Sequence, residues 1–158
     1  MKNSILSIAV FVIILISSSQ LTAQKFKSLD KSPMDVAAFP NSYKISDKIV
    51  KVVYSRPQLK GRDLVKLAPP EKVWRTGANE AAEITFYKDV IFGGKALKAG
   101  TYSLFTIPSE DGDWTVIINK AKNVWGSYYY KQDQDVIRVS GKTSKADKNI
   151  EAFSMMFD

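Results

Sequence analysis

The sequence contains no cysteine and no histidine. Without cysteine there is no disulfide, no thiol nucleophile, no thiolate metal site and no bacterial lipid attachment through sulfur. Without histidine a Ser-His-Asp triad cannot form, nor can the usual zinc and non-haem iron sites. General acid–base work is left to Asp, Glu, Lys or Tyr. An all-oxygen calcium or magnesium site needs only Asp and Glu, so composition does not remove it. Asp111-Gly112-Asp113 is the nearest hint, but it is too short for an EF-hand loop and reads as a hairpin turn, so no metal and no cofactor are expected. Arginine is scarce as well: four residues, against 19 lysines.

The lysines are scattered along the chain, and scattered lysine solubilises a surface more often than it forms a binding stripe. The net charge of +7 therefore does not call for nucleic acid, and no basic–aromatic platform of the expected kind is present. A length of 158 residues suits one domain, large enough to bury a core without covalent staples. There is no internal repeat and no low-complexity tract.

Residues 1–23 read as a secretory signal peptide. Lys2 is the positive start, Ile5–Ile16 the apolar stretch, and Ser17–Ala23 a small, polar cleavage region. The apolar stretch is too short to span a bilayer comfortably, although an uncleaved anchor is the alternative. Export to the periplasm or cell surface is the expectation, with no stable membrane span after cleavage.

Residues 24–47 read as a lead-in arm, with Ser32-Pro33 placed like a helix start and Pro40 ending the turn. From residue 48 to 158 the pattern is short alternating runs bounded by Gly, Pro or Asp. Examples are Lys48–Tyr54, Ala82–Tyr87, Thr101–Ile107, Trp114–Asn119, Asp135–Ser140 and Ile150–Phe157. Gly93-Gly94 between apolar triplets is a hairpin signal. About eight such strands predict an all-β fold, an antiparallel β-sandwich of jelly-roll-like type, behind a cleaved signal helix.

Tyr54–Glu80 holds three of the four arginines: Arg56, Arg62 and Arg75. Each lies beside a chain-bending residue, Pro57, Gly61 or Gly77, which predicts convergence at one end of the sheet. Arginine presents a planar fork that matches a carboxylate or phosphate, as lysine does not. The candidate ligand-binding set is Arg56, Arg62, Trp74, Arg75, Asn79 and Glu80, with a small anion or a glycan as ligand. The competing expectation is structural: Arg75 pairs with Glu80 or Asp63, and Trp74 plugs the core. Catalytic residues are not assigned; binding is favoured, and the enzymatic alternative is a hydrolase or lyase on a carbohydrate or other anionic substrate, using Glu80 or Asp63 as acid or base. Glu80 and Glu83 fall on opposite faces of a strand unless that strand begins after Glu80. Val124–Tyr130 supplies an aromatic wall or simple packing.

The runs SPMDVAAFP from Ser32, YSRP from Tyr54, KGR from Lys60, VWRTGANEA from Val73, FYKDV from Phe86 and AGTYSLFTIP from Ala99 carry a resemblance. Together they resemble the secreted bacterial family called domain of unknown function 2911, over about Ser32 to Asp158. The resemblance implies exported proteins of Bacteroidetes type and no established activity, substrate or catalytic residue. Chains of that family run on with a further apolar, strand-like segment, which implies that Ile150–Phe157 here lacks a sheet neighbour. Oligomeric state is not assigned by any of these features. N-terminal analysis of the exported protein is expected to find Gln24 first; retention of residues 1–23 would mean an anchor instead.

Overall fold

The computed structural model describes residues 25–110 and 112–158, so the expected signal peptide lies outside the described residues. Eight strands form: β1 (Met34–Phe39), β2 (Val50–Ser55), β3 (Ala82–Phe86), β4 (Val90–Phe92), β5 (Lys95–Leu97), β6 (Gly100–Ile107), β7 (Trp114–Asn119) and β8 (Asp135–Gly141). Six of them make one antiparallel sheet in the order β1-β2-β3-β6-β7-β8. The order follows the sequence, as short connections favour, with the β4–β5 hairpin set between β3 and β6. Among the described residues helix is confined to one turn, α1 (Leu64–Leu67), and a 3-10 turn at Gln132–Gln134. The fold is all-β and antiparallel, as the alternation predicts, and the sheet does not close into a barrel.

Period-two alternation divides the sheet into two faces. On the first face Val50, Val52, Tyr54, Ala82, Ile84, Phe86, Leu104, Ile118 and Ile137 form the main core. The hairpin residues Val90, Phe92 and Leu97 cover it, together with Phe153, Met155 and Phe157 from the C-terminal arm. On the second face the smaller core is Ala81, Phe105, Ile117 and Val124, with Val73 and Tyr130 against it. Residues 120–134 supply that cover, and it lies over β6 and β7. Over β1 and β2 the same face stays open, with Met34 and Val36 exposed.

Two local expectations are corrected. Ser32-Pro33-Met34-Asp35 does not start a helix; Met34 begins β1, paired with Ser55. The carbonyl of Pro33 accepts from Arg56 N (3.0 Å) and the Asp35 carboxylate from Arg56 Nη1 (3.0 Å), so tertiary bonds outweigh the local helix signal. Ile150–Phe157 is not a full strand, yet it has a neighbour: Phe153 N donates to Pro57 O and Leu59 N to Glu151 O, both at 2.9 Å, with Gln58 bridging Ala152.

The segment over the second face is held by a polar cluster. Asn119, fully buried, donates to Lys131 O (3.0 Å) and Asp135 Oδ1 (2.7 Å) and accepts from Ala121 N (2.9 Å). Tyr130 OH donates to Asp135 Oδ2 at 2.7 Å, and Arg138 donates to both Tyr130 and Asp135. Burial, then the bond to Asp135, push the Tyr130 phenol up to about 12. Replacing Asn119 with Ala strands buried partners, so Asn119→Ala is expected to lower stability by about 2–3 kcal/mol. The check is a lower urea midpoint with unchanged slope; an unchanged midpoint would mean water replaces the amide.

Candidate functional site

The polar run Arg75–Glu80 folds into a tight loop closed by Ala82 N donating to Arg75 O at 3.0 Å. Asn79 (φ 61°) takes left-handed backbone, which asparagine tolerates, and Thr76 (φ 55°) takes it too, a costly conformation for a β-branched side chain. Gly77 is required by proximity: a Cβ there would sit 2.8 Å from the backbone oxygen of Ser55. Thr76 Oγ1 meets Thr106 Oγ1 at 3.2 Å and fixes the loop's inner side.

The far side of the loop lies antiparallel to the aromatic segment. Ala81 N donates to Val124 O (2.8 Å), Gly126 N donates to Asn79 O (3.0 Å), and Glu80 bridges Trp125. These bonds flank Glu80 and Trp125, making them a non-hydrogen-bonded pair, the kind whose side chains stand closest. Val124 and Tyr130 turn inward to the smaller core. Trp125 (54% exposed), Tyr128 (77%) and Tyr129 (73%) turn outward.

The three arginines have different fates. Arg56 is used up by its own chain: Nε donates to Phe153 O (2.9 Å), Nη1 to Asp35 (3.0 Å) and Nη2 to Ser154 Oγ (2.6 Å). It clasps the C-terminal arm and β1 on the first face. Arg62 bonds locally, to Leu59 O (2.9 Å) and Gln58 O (2.6 Å). Arg75 differs. Its guanidinium makes no ion pair among the described residues, and Nε is buried with no hydrogen-bond acceptor. Its Nη1 lies against Gly126, beside the Tyr128 ring, on the second face: a Cβ on Gly126 would be 3.5 Å from Nη1 and 2.8 Å from Tyr128 Cδ2.

The predicted set is thus divided. Arg75, Asn79 and Glu80 share one short loop, with the Asn79 amide bonded to Asp30; Arg56 and Arg62 stand apart from them, bonded to other segments. Trp74 is 6% exposed and packs edge-on to Trp114 and Phe153, at centroid distances of 6.2 Å and 5.1 Å. It is core, as the structural expectation has it. Arg75 pairs with neither Glu80 nor Asp63, contrary to that expectation. Asn79 donates to Asp30 Oδ1 at 3.2 Å. The Ser32 N–H, then this amide, hold the Asp30 carboxyl below its usual range.

A cleft of about 310 Å³ opens where the second face is uncovered, lined by Met34, Val53, Ser55, Glu80, Glu83 and Asn123 among others. β3 starts at Ala82, after Glu80, so the exception in the face rule applies and both glutamates reach one cleft. Glu83 accepts from Asn123 N at 2.8 Å. Asp63 is exposed at the start of α1. Among the described residues no three His, Cys, Asp or Glu side chains group as a metal site would need, and no helix is long and apolar enough to cross a membrane.

A family model described as protein of unknown function (DUF2911) matches residues 32–158. The chain belongs to the DUF2911 family. No curated protein and no solved structure matches it. Membership therefore assigns no chemistry to the loop, and the geometry of this DUF2911 chain has to carry the functional reading alone.

A fully bonded arginine and an unbonded one should answer differently to truncation. Arg56→Ala is expected to cost about 2–3 kcal/mol, because three charge-assisted bonds are lost. Arg75→Ala is expected to cost less than about 1 kcal/mol, since it removes a buried donor that has no acceptor. Chemical denaturation of the two variants checks this; equal losses would show Arg75 to be structural.

Proposed function

We propose that the protein is a non-catalytic binding module, exported to the periplasm or cell surface, that holds a small anionic ligand or a glycan at the Arg75 loop. The carrying observation is the buried, unpaired Nε of Arg75 within a loop that backbone bonds close on itself and tie to the aromatic segment. A buried donor without an acceptor is costly, and a site that binds an anion is where such a cost is retained. The fork geometry suits a carboxylate, a phosphate or a sulfated sugar. Export rests on the signal-like first 23 residues.

A second reading, a hydrolase or lyase using Glu80, is supported by one observation: Glu80 and Glu83 line the same cleft. Paired carboxylates can share acid and base roles when their spacing admits substrate. Glu83 is already engaged by Asn123 N, which favours a wall over a proton carrier.

A thermal-shift screen of carboxylates, phosphates, sulfated sugars and divalent metals separates these. A ligand at a hundred times its Kd stabilises by about 2.7 kcal/mol, several degrees in Tm for a domain this size. An anion is expected to protect the native protein and not Arg75→Ala. If no compound protects, the loop is scaffold; if a compound is consumed and Glu80→Gln stops its consumption, the protein is an enzyme.

A further inference from the structure

The loop and the aromatic segment together specify more than an anion. Tyr128 stands over Gly126, and its ring and Arg75 Nη1 border the same point in space. Gly126 is needed there, both for that approach and for its φ of 64°. Next to it Trp125 pairs with Glu80, whose carboxylate is exposed and makes no ion pair among the described residues. The aromatic segment is held from beneath by Tyr130, Asp135 and Arg138, so outward rings are carried on an anchored backbone. Large exposed aromatics on a fixed frame mark contact sites more often than packing accidents.

The three chemistries differ in what they accept. Aromatic faces are electron-rich and attract polarised C–H groups, such as those on the flat side of a pyranose. A carboxylate accepts hydroxyl donors and repels anions. A guanidinium takes a planar carboxylate through two parallel bonds. A free phosphate suits the fork alone and leaves the aromatic rings and Glu80 without a partner. A ring that carries one carboxylate and several hydroxyls uses all three.

We infer that the Arg75 loop and the Trp125–Tyr128 segment form a subsite for a carboxylated sugar of the uronic-acid class. Its carboxylate meets Arg75, its ring face lies on Tyr128 or Trp125, and its hydroxyls donate to Glu80. The inference rests on the binding reading above and names its ligand class.

The test titrates the protein with a trimer of galacturonic acid, with the neutral galactose trimer, and with sodium phosphate at matched ionic strength. Tm and tryptophan fluorescence are the readouts. The acidic trimer is expected to raise Tm and change the fluorescence, and to bind at least about tenfold more tightly than the neutral trimer. Arg75→Lys, Tyr128→Ala and Trp125→Ala are each expected to weaken it by about tenfold while circular dichroism shows the fold kept. If Trp125→Ala loses the fluorescence change and Tyr128→Ala does not, the ring lies on Trp125. Protection by phosphate but not by the acidic trimer overturns the sugar assignment and leaves the anion reading standing. No protection by either overturns both. Equal binding of the two trimers, unaffected by Arg75→Lys, overturns the carboxylate contact.

Discussion

Six strands in one sheet present two faces, and burying both takes more chain than the connections between strands provide. The first face receives the β4–β5 hairpin and the C-terminal arm along its length. The second receives residues 120–134 together with Val73 and Ala81 from the chain between β2 and β3, a cover that lies over β7 and β6. What is left open is a cleft beside β1 and β2, walled by the end of the covering segment. The polar loop at Arg75 and the outward aromatics sit on that boundary between covered and uncovered sheet. Their position is a product of where the cover ends.

The division of labour among the arginines follows from the same boundary. Arg56 extends from β2 on the covered face and finds two arm residues and Asp35 waiting as acceptors. Arg75 comes off the loop on the other face, where Gly126 offers no side chain and Tyr128 offers a ring edge. One cation is saturated by its own chain and the other is left with donors to spare. Lysine dominates the rest of the surface and would serve neither task, since it lacks the fork.

Much of the fold was legible because β2, β3, β6 and β7 alternate cleanly and are bounded by glycine or proline. β1 was not, because Ser32-Pro33 satisfies helix-start rules and only pairing with β2 overrules them. The polar run from Arg75 to Glu80 stood out by composition. The difference between Arg56 and Arg75 did not, since each sits beside a bend and the deciding acceptor for Arg56 is 97 residues away. The shared cleft of Glu80 and Glu83 turned on where β3 begins, a boundary that alternation places only to within a residue or two. The aromatic wall was visible as a cluster, but its split into inward Val124 and Tyr130 and outward Trp125, Tyr128 and Tyr129 depends on the turn at Gly126.

The C-terminal arm has a consequence for how the molecule is completed. A meander pairs each strand with one near it in sequence, so most of its contacts are local. Phe153 and Ser154 stand 97 and 98 residues after Arg56 in sequence, yet they are the ones Arg56 grips, and Phe153 lies across Tyr54 and Trp74. Until that segment docks, the larger apolar face has one side uncapped. The first face is therefore closed by a contact between segments far apart in sequence, and the sheet is latched only when that distant segment docks.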